Sequence, residues 1–318
     1  MRVAVVVYDG VFDSGLTSVL DVLDNACALG VQIHEPPTWN VTMVGSAPTV
    51  RTGAGLLVTP EPLEAAQTTD LLVVPALGGS SPEALIDHVS GDVSRPVRDL
   101  IARTRERGTT IASACAGSFL LAEAGVLDGM RATTTWWLSP SFRTRYPKVD
   151  LDHSQMVITD EGIITAGAAF GHVDLALAIV RASSPALADL VSSYLVVDER
   201  PSQAAYTIPS ALAQSDPTVA AFERWIREHL AETISLSDAA KAINVSERTL
   251  QRSVKRTTGT SPIRFVQDLR IERASHLLRT TDLSLETISR KVGYEHPNTL
   301  RALLRKRTGK TTSALRNR

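Results

Sequence analysis

The sequence predicts an α/β domain built on a parallel sheet, followed by an all-α domain with two helix-turn-helix units. Three observations predict it. Short apolar, β-rich runs alternate with amphipathic helical stretches in the first part of the chain. A segment starting at Leu236 recurs at an offset of 49 residues. The formal charge also reverses: residues 1–216 hold 13 Lys+Arg and 24 Asp+Glu, whereas residues 217–318 hold 20 and 10.

The strands are expected at Val3–Tyr8, Trp39–Gly45, Leu71–Ala76 and Thr109–Ala114, with helices at Thr17–Leu29 and Pro96–Arg107 between them. Met156–Thr159 and Gly162–Ala166 are expected to pair as a hairpin around Asp160-Glu161, and Val173–Val180 to begin a helix. Residues 198–215 show neither period and contain Pro201 and Pro209, so they are expected to be a linker between domains 1–197 and 216–318. Asp216-Pro217 then supplies an N-cap and a proline at the first helical position.

Composition excludes some classes. With 43% hydrophobic and 21% charged residues, the chain can bury a core, and no apolar run reaches membrane-spanning length. The apolar start is broken by Asp9-Gly10, too early for a signal peptide, and reads as a buried strand. Cys27 and Cys115 are the two cysteines, so a reducing cytoplasm is expected. No Walker loop, GxGxxG element or metal-ligand cluster is visible, and no cofactor is expected. The basic segment suggests a polyanion partner; a basic solvated surface accounts for the charge equally well.

The repeat decides between them. Leu236–Ile243 matches Leu285–Val292 at an offset of 49, and Thr249-Leu250 and Gly259 match Thr299-Leu300 and Gly309 at 50. Each copy reads as a short helix, a tight turn and a second helix. Ser246 is placed to cap the second helix of the first copy, and Ser235 with Asp238 resembles a capping box. A helix entering a major groove needs one apolar side for its own domain and a polar, cationic side for DNA. Leu250 and Val254, then Leu300, Leu303 and Leu304, are expected inside. That leaves Ser246, Arg248, Thr249, Gln251, Arg252, Lys255 and Arg256 in one copy, and Asn298, Thr299, Arg301 and Arg305 in the other, as candidate DNA contacts. A helix from about Pro262 to Leu278 joins the units, and successive major grooves on one face lie about 34 Å apart.

Val245–Arg252, Thr258–Pro262, Arg270–Ala274 with Leu277-Leu278, and Val292–Tyr294 resemble the AraC/XylS family of bacterial regulators, over about residues 217–316. Leu300, Thr312 and Leu315 depart from it: the family usually has Phe, Pro and Tyr there.

In the N-terminal half, Ile111–Leu121 has the composition of a nucleophile elbow, a strand-to-helix turn presenting Cys115 at a helix N-terminus, where a thiol pKa would be lowered. A small buried cysteine is the plainer reading. The stretch, with Leu121–Gly129 and Ala132–Thr134, resembles the glutamine amidotransferase-like family that includes the PfpI-type peptidases, over about residues 2–185. The resemblance implies a flavodoxin-like sheet, Cys115 at the nucleophile position and Asp13 at an acid position. The fusion of both halves resembles the GlxA-like regulators, whose N-terminal domain is generally thought to sense a ligand or dimerise. Catalysis would need a base, yet Ala116 and Thr135 stand where relatives carry His. His172 is the remaining base to consider, with a packing role the plainer reading; His34 and His153 have no motif context. Asp13, Gly79, Cys115, Ala116 and Thr135 are therefore expected to line a pocket that binds, with Gly78–Ser81 at a carboxyl strand end. The expected partners are double-stranded DNA, a second copy of the chain, a small-molecule effector and, for an activator, RNA polymerase. The alternative is a cysteine-dependent amidase or hydrolase carrying a DNA-binding module.

Overall fold

The computed structural model describes residues 1–33, 38–79 and 81–316; His34 and Ser80 lie outside these. The chain divides into two compact units, Met1–Gln203 and Ala204–Arg318.

The first unit is built on a seven-stranded sheet. Its order is Val157–Asp160, Ile163–Ala166, Thr110–Ala114, Leu71–Val74, Arg2–Val7, Asn40–Gly45 and Glu61–Pro62. All neighbours are parallel except the first pair. Val3–Val7 and Leu71–Val74 are buried at every position. Successive side chains point to opposite faces, so both faces of the sheet are covered, which is why these strands read as unbroken apolar runs. Helices Asp13–Gly30, Gly171–Ser183 and Pro185–Leu195 pack together, as do Pro82–Ser90 and Arg95–Glu106 with Gly117–Glu123. The hairpin turns one residue later than expected, at Glu161-Gly162. Both adopt positive φ (41° and 81°), the two-residue turn whose twist matches the strands.

The second unit is helical and has two separate apolar cores. Helix Pro262–Thr280 belongs to both. Its Phe265, Val266 and Leu269 enter the first core with Phe222, Ile226, Leu250 and Val254. Its Ile271, Ala274, Leu277 and Leu278 enter the second with Ile288, Leu300, Leu304 and Leu315. Leu300 and Leu315, two of the departures from the AraC/XylS pattern, are thus core residues.

The expected linker 198–215 is not a free tether. Ser202 bridges to Gln155, and Gln203 is fully buried in the first unit. Its amide donates to Thr134 O at 2.8 Å and accepts from Trp136 N–H at 3.2 Å. Pro209–Ala213 forms a short helix whose Leu212 and Ala213 are buried. Among the described residues, no helix is long and apolar enough to cross a membrane.

Candidate nucleic-acid interface and effector pocket

The two copies fold alike down to their caps. Ser235 and Ser284 cap the first helices, Leu236–Ala242 and Leu285–Lys291, by accepting from Asp238 N–H (3.3 Å) and Thr287 N–H (3.1 Å). Ser284 was legible only as the repeat of Ser235. Asn244 (φ 57°) and Gly293 (φ 77°) make the turns in the left-handed region. The second helices are Glu247–Thr258 and Pro297–Thr308. Ser246 caps the former through Thr249 N–H at 3.1 Å; His296 at the start of the latter makes no side-chain cap. Both end at a left-handed glycine, Gly259 and Gly309, each donating to the carbonyl four residues back at 2.9 Å.

Leu250, Val254, Leu300 and Leu304 are fully buried and Leu303 half-buried. Opposite them, Ser246, Arg248, Gln251, Arg252, Lys255, Arg256, Asn298, Thr299, Arg301 and Arg305 are exposed, and Thr249 is half-buried. These side chains are not equally available. Arg256 is paired with Asp216 at 2.6 Å, the carboxylate that also caps helix Pro217–Glu228, so it ties two helices of its own domain. Lys255 donates to Gly259 O at 3.0 Å, Gln251 to Glu247 at 2.9 Å and Arg301 to Asn298 at 2.6 Å. Arg248, Arg252 and Arg305 make no side-chain hydrogen bond or ion pair among the described residues. Each copy therefore offers an apolar seat and a cationic outer face, the arrangement that inserts a helix into a groove lined by phosphates.

In the first unit, Cys115 follows strand Thr110–Ala114 with φ 54°, the strained backbone of a nucleophile elbow. Its N–H donates to Ala166 O at 2.8 Å, and its carbonyl accepts from Ser118 (2.8 Å) and Thr134 (3.0 Å) hydroxyls. Gly117 is required next: a Cβ there would lie 2.5 Å from Ser113 Oγ and 2.6 Å from Val74 O. The thiol itself runs against the lowered pKa of an elbow and with the plainer reading of a small buried cysteine. Burial pushes it up to about 11, against the smaller opposing pull of the Ala116 N–H and the Thr135 hydroxyl. The following helix, Gly117–Glu123, does not reverse this.

The five expected pocket residues separate. Cys115 and Ala116 line a cavity of about 160 Å³ with Phe12, Leu85 and Trp137. Asp13 lines a larger concavity of about 770 Å³ with Asp9, Arg51 and Thr52. Gly79 borders both, and Thr135 is fully buried and borders neither. Burial acts to raise the Asp13 pKa, but hydrogen bonds from Thr52 and from Ala54 N–H (2.7 Å) hold it below the usual carboxylate value. The aromatic lining from Phe12 and Trp137 was not foreseen. Those residues are distant in sequence and carry no motif. Among the described residues, no group of three His, Cys, Asp or Glu is placed to hold a metal ion.

His172 is fully buried and occupied at both ring nitrogens. Nε2 accepts from Ala76 N–H at 3.1 Å, so Nδ1 carries the proton and donates to Ala169 O at 2.6 Å. Gly15 leaves room for the ring: a Cβ there would lie 2.7 Å from it. Burial lowers the imidazole to about 4, outweighing the Ala169 bond. The folded state thus disfavours the proton that the unfolded state takes up near 6.5. His172 contributes nothing to pH dependence above that value. Stability falls as pH drops from about 6.5 to about 4, by about 3 kcal/mol in all. Urea unfolding of the wild type and of His172→Gln at pH 7.5 and 5 measures this. The variant should show a flatter pH dependence; equal slopes would refute the assignment. His153 is also buried, against Arg143 at 2.8 Å.

Residues 1–182 match the DJ-1/PfpI family, and residues 239–318 match a helix-turn-helix domain. The chain is 31% identical over 195 residues to CdhR, an HTH-type transcriptional regulator of Pseudomonas aeruginosa, covering 60% of this chain and 58% of that protein. It is 33% identical over 100 residues to RhaS, an HTH-type transcriptional activator of Enterobacter sp., covering 31% and 36%. Against its first four curated relatives the chain spans 58–64% of their length. An AraC family transcriptional regulator from Pseudomonas putida shares the fold with a TM-score of 0.51 at 22% identity, over 61% of this chain and 98% of that one. The chain belongs to the DJ-1/PfpI family and carries, C-terminal to that domain, a helix-turn-helix domain.

Proposed function

We propose that the protein is a sequence-specific, DNA-binding transcription regulator whose first unit binds rather than converts a small molecule. The observation that carries this reading is the duplicated recognition helix. Two capped helices of one domain seat on leucines and turn Arg248, Arg252, Arg301 and Arg305 outward. CdhR and RhaS, by their names, regulate transcription. The first unit acts as the sensing or dimerising half, working in the cytoplasm as a homodimer. Its effector enters the adjoining concavities at Cys115, Gly79 and Asp13, and RNA polymerase is the further partner if it activates. The alternative, a cysteine-dependent hydrolase, is opposed by His172, which has no free nitrogen to activate a buried, protonated thiol. Selection of duplexes from a random library by the full chain tests the reading. The recovered sites should hold two short elements about one helical turn apart. Recovery of no shared element would refute it.

A further inference from the structure

The two helix-turn-helix units have separate cores and share one helix, Pro262–Thr280. Something besides that helix must set their relative angle. On the side facing Glu232 and Gly293 packing does so only in part: the Leu230 carbonyl lies against Gly293, and beside that contact the two units stand apart. There a cavity of about 450 Å³ opens between Ile234, Leu236 and Val266 on the side of the first helix-turn-helix and Arg290, Tyr294 and Glu295 on the side of the second. One side chain spans it. Arg270, at the point where the connecting helix passes from one core to the other, donates from Nη2 to Glu232 O at 2.6 Å and from Nη1 to Gly293 O at 3.2 Å. Its guanidinium lies over the Tyr294 ring, 5.5 Å from the centroid. Gly293 admits this contact: its φ of 77° suits glycine, and a Cβ would fall 2.4 Å from Leu230 O and 2.5 Å from Arg270 Nη2.

We infer that Arg270 is a positioning residue, a strut that sets the distance and phase between the two recognition helices and so the spacing of the DNA elements they read. The first carbonyl, of Glu232, follows helix Pro217–Glu228, ahead of the first helix-turn-helix; the second lies in the turn that launches the second recognition helix. A planar fork of donors joins both at once, which a lysine ammonium on a flexible stem does not. The neighbouring ion pairs do not duplicate it. Asp268 joins Arg264 and Arg307, at 3.3 and 3.1 Å, fastening the second recognition helix to the connecting helix but not to the first helix-turn-helix.

The inference rests on the DNA-binding reading for its consequence, not for its geometry, so two measurements separate them. Spin labels at Gln251→Cys and Ala302→Cys, in the full chain with Cys27 and Cys115 replaced by Ala, report the distance between the recognition helices without DNA. The expected distribution is narrow with Arg270 and at least twice as broad in Arg270→Ala and Arg270→Lys. The lysine variant keeps the stem and the charge, so it guards against simple unfolding. Unchanged widths in both variants would overturn the strut. The second measurement uses the duplex selected above and versions with one base pair added or removed between its elements. One base pair moves an element by about 3.4 Å and turns it by about 35°. The wild type should lose about tenfold in affinity on either altered duplex, and Arg270→Lys should lose less than about threefold. Equal spacing preference in both would overturn the inference. A wild type that binds no duplex would instead refute the DNA reading and leave the label distances to decide the strut.

Discussion

Replacing Arg252 or Arg301 by Ala should weaken binding to the selected duplex by about 1–3 kcal/mol, roughly five- to 150-fold, and relax preference at one base position. Both residues are exposed on the outer face of a recognition helix whose inner face is fixed by fully buried apolar residues, Leu250 and Val254 in one helix and Leu300 and Leu304 in the other. Their settings differ, and so should their consequences. Arg252 has no side-chain partner among the described residues and gives up no internal bond on meeting DNA. Arg301 is held by Asn298 at 2.6 Å, which fixes its direction, so Asn298→Ala should reproduce part of its loss. Arg256→Ala serves as the contrast. Its pairing with Asp216 makes it a domain tie, so its loss should appear in thermal stability at least as much as in base preference. Competition binding against single-base variants of the duplex measures all four. Uniform weakening across every variant duplex would mean that Arg252 and Arg301 contact phosphates only.

Gly117→Ala should destabilise the first unit severely, by about 3 kcal/mol or more. The added methyl meets Val74 O at 2.6 Å and Pro75 O at 2.7 Å, backbone atoms of the central sheet and its exit, besides Ser113 Oγ at 2.5 Å. Backbone in the middle of a covered sheet cannot step aside as a side-chain end can. Gly79→Ala, at the edge of the Cys115 cavity, is a useful comparison: its Cβ meets nothing within 4 Å, so its cost is confined to the φ of 49°. Urea denaturation of both variants checks the contrast. Equal, small losses would show that the elbow is looser than its geometry implies.

Both domains were legible in the sequence because their signals are local. A strand buried on both faces is an unbroken apolar run, and a recognition helix needs a cap, a leucine seat and a polar outer face. Ser246, Leu250 and Val254 state all three within nine residues. What escaped depends on distant partners. Pro209–Ala213 has too few apolar positions to show a period, and only the second unit's core makes it a helix. Gln203 reads as a polar linker residue; its burial is decided by Thr134 and Trp136, far upstream. Arg270 binds two backbone carbonyls, which carry no sequence signal. At Cys115 two readings stood side by side, an elbow thiol with a lowered pKa and a small buried cysteine, and the burial of the side chain agrees with the second. A helix N-terminus favours thiolate, but the side chain is almost wholly buried and burial wins.

The central claim is that the C-terminal unit is an electrostatic and base-reading surface for duplex DNA. The most direct measurement is the affinity of the full chain for its selected duplex as salt is raised. If the outward-facing cations displace counterions from phosphates, log K should fall linearly with log salt, by about 0.9 for each phosphate neutralised. An affinity that does not change with salt, or no binding at low salt, would contradict the account.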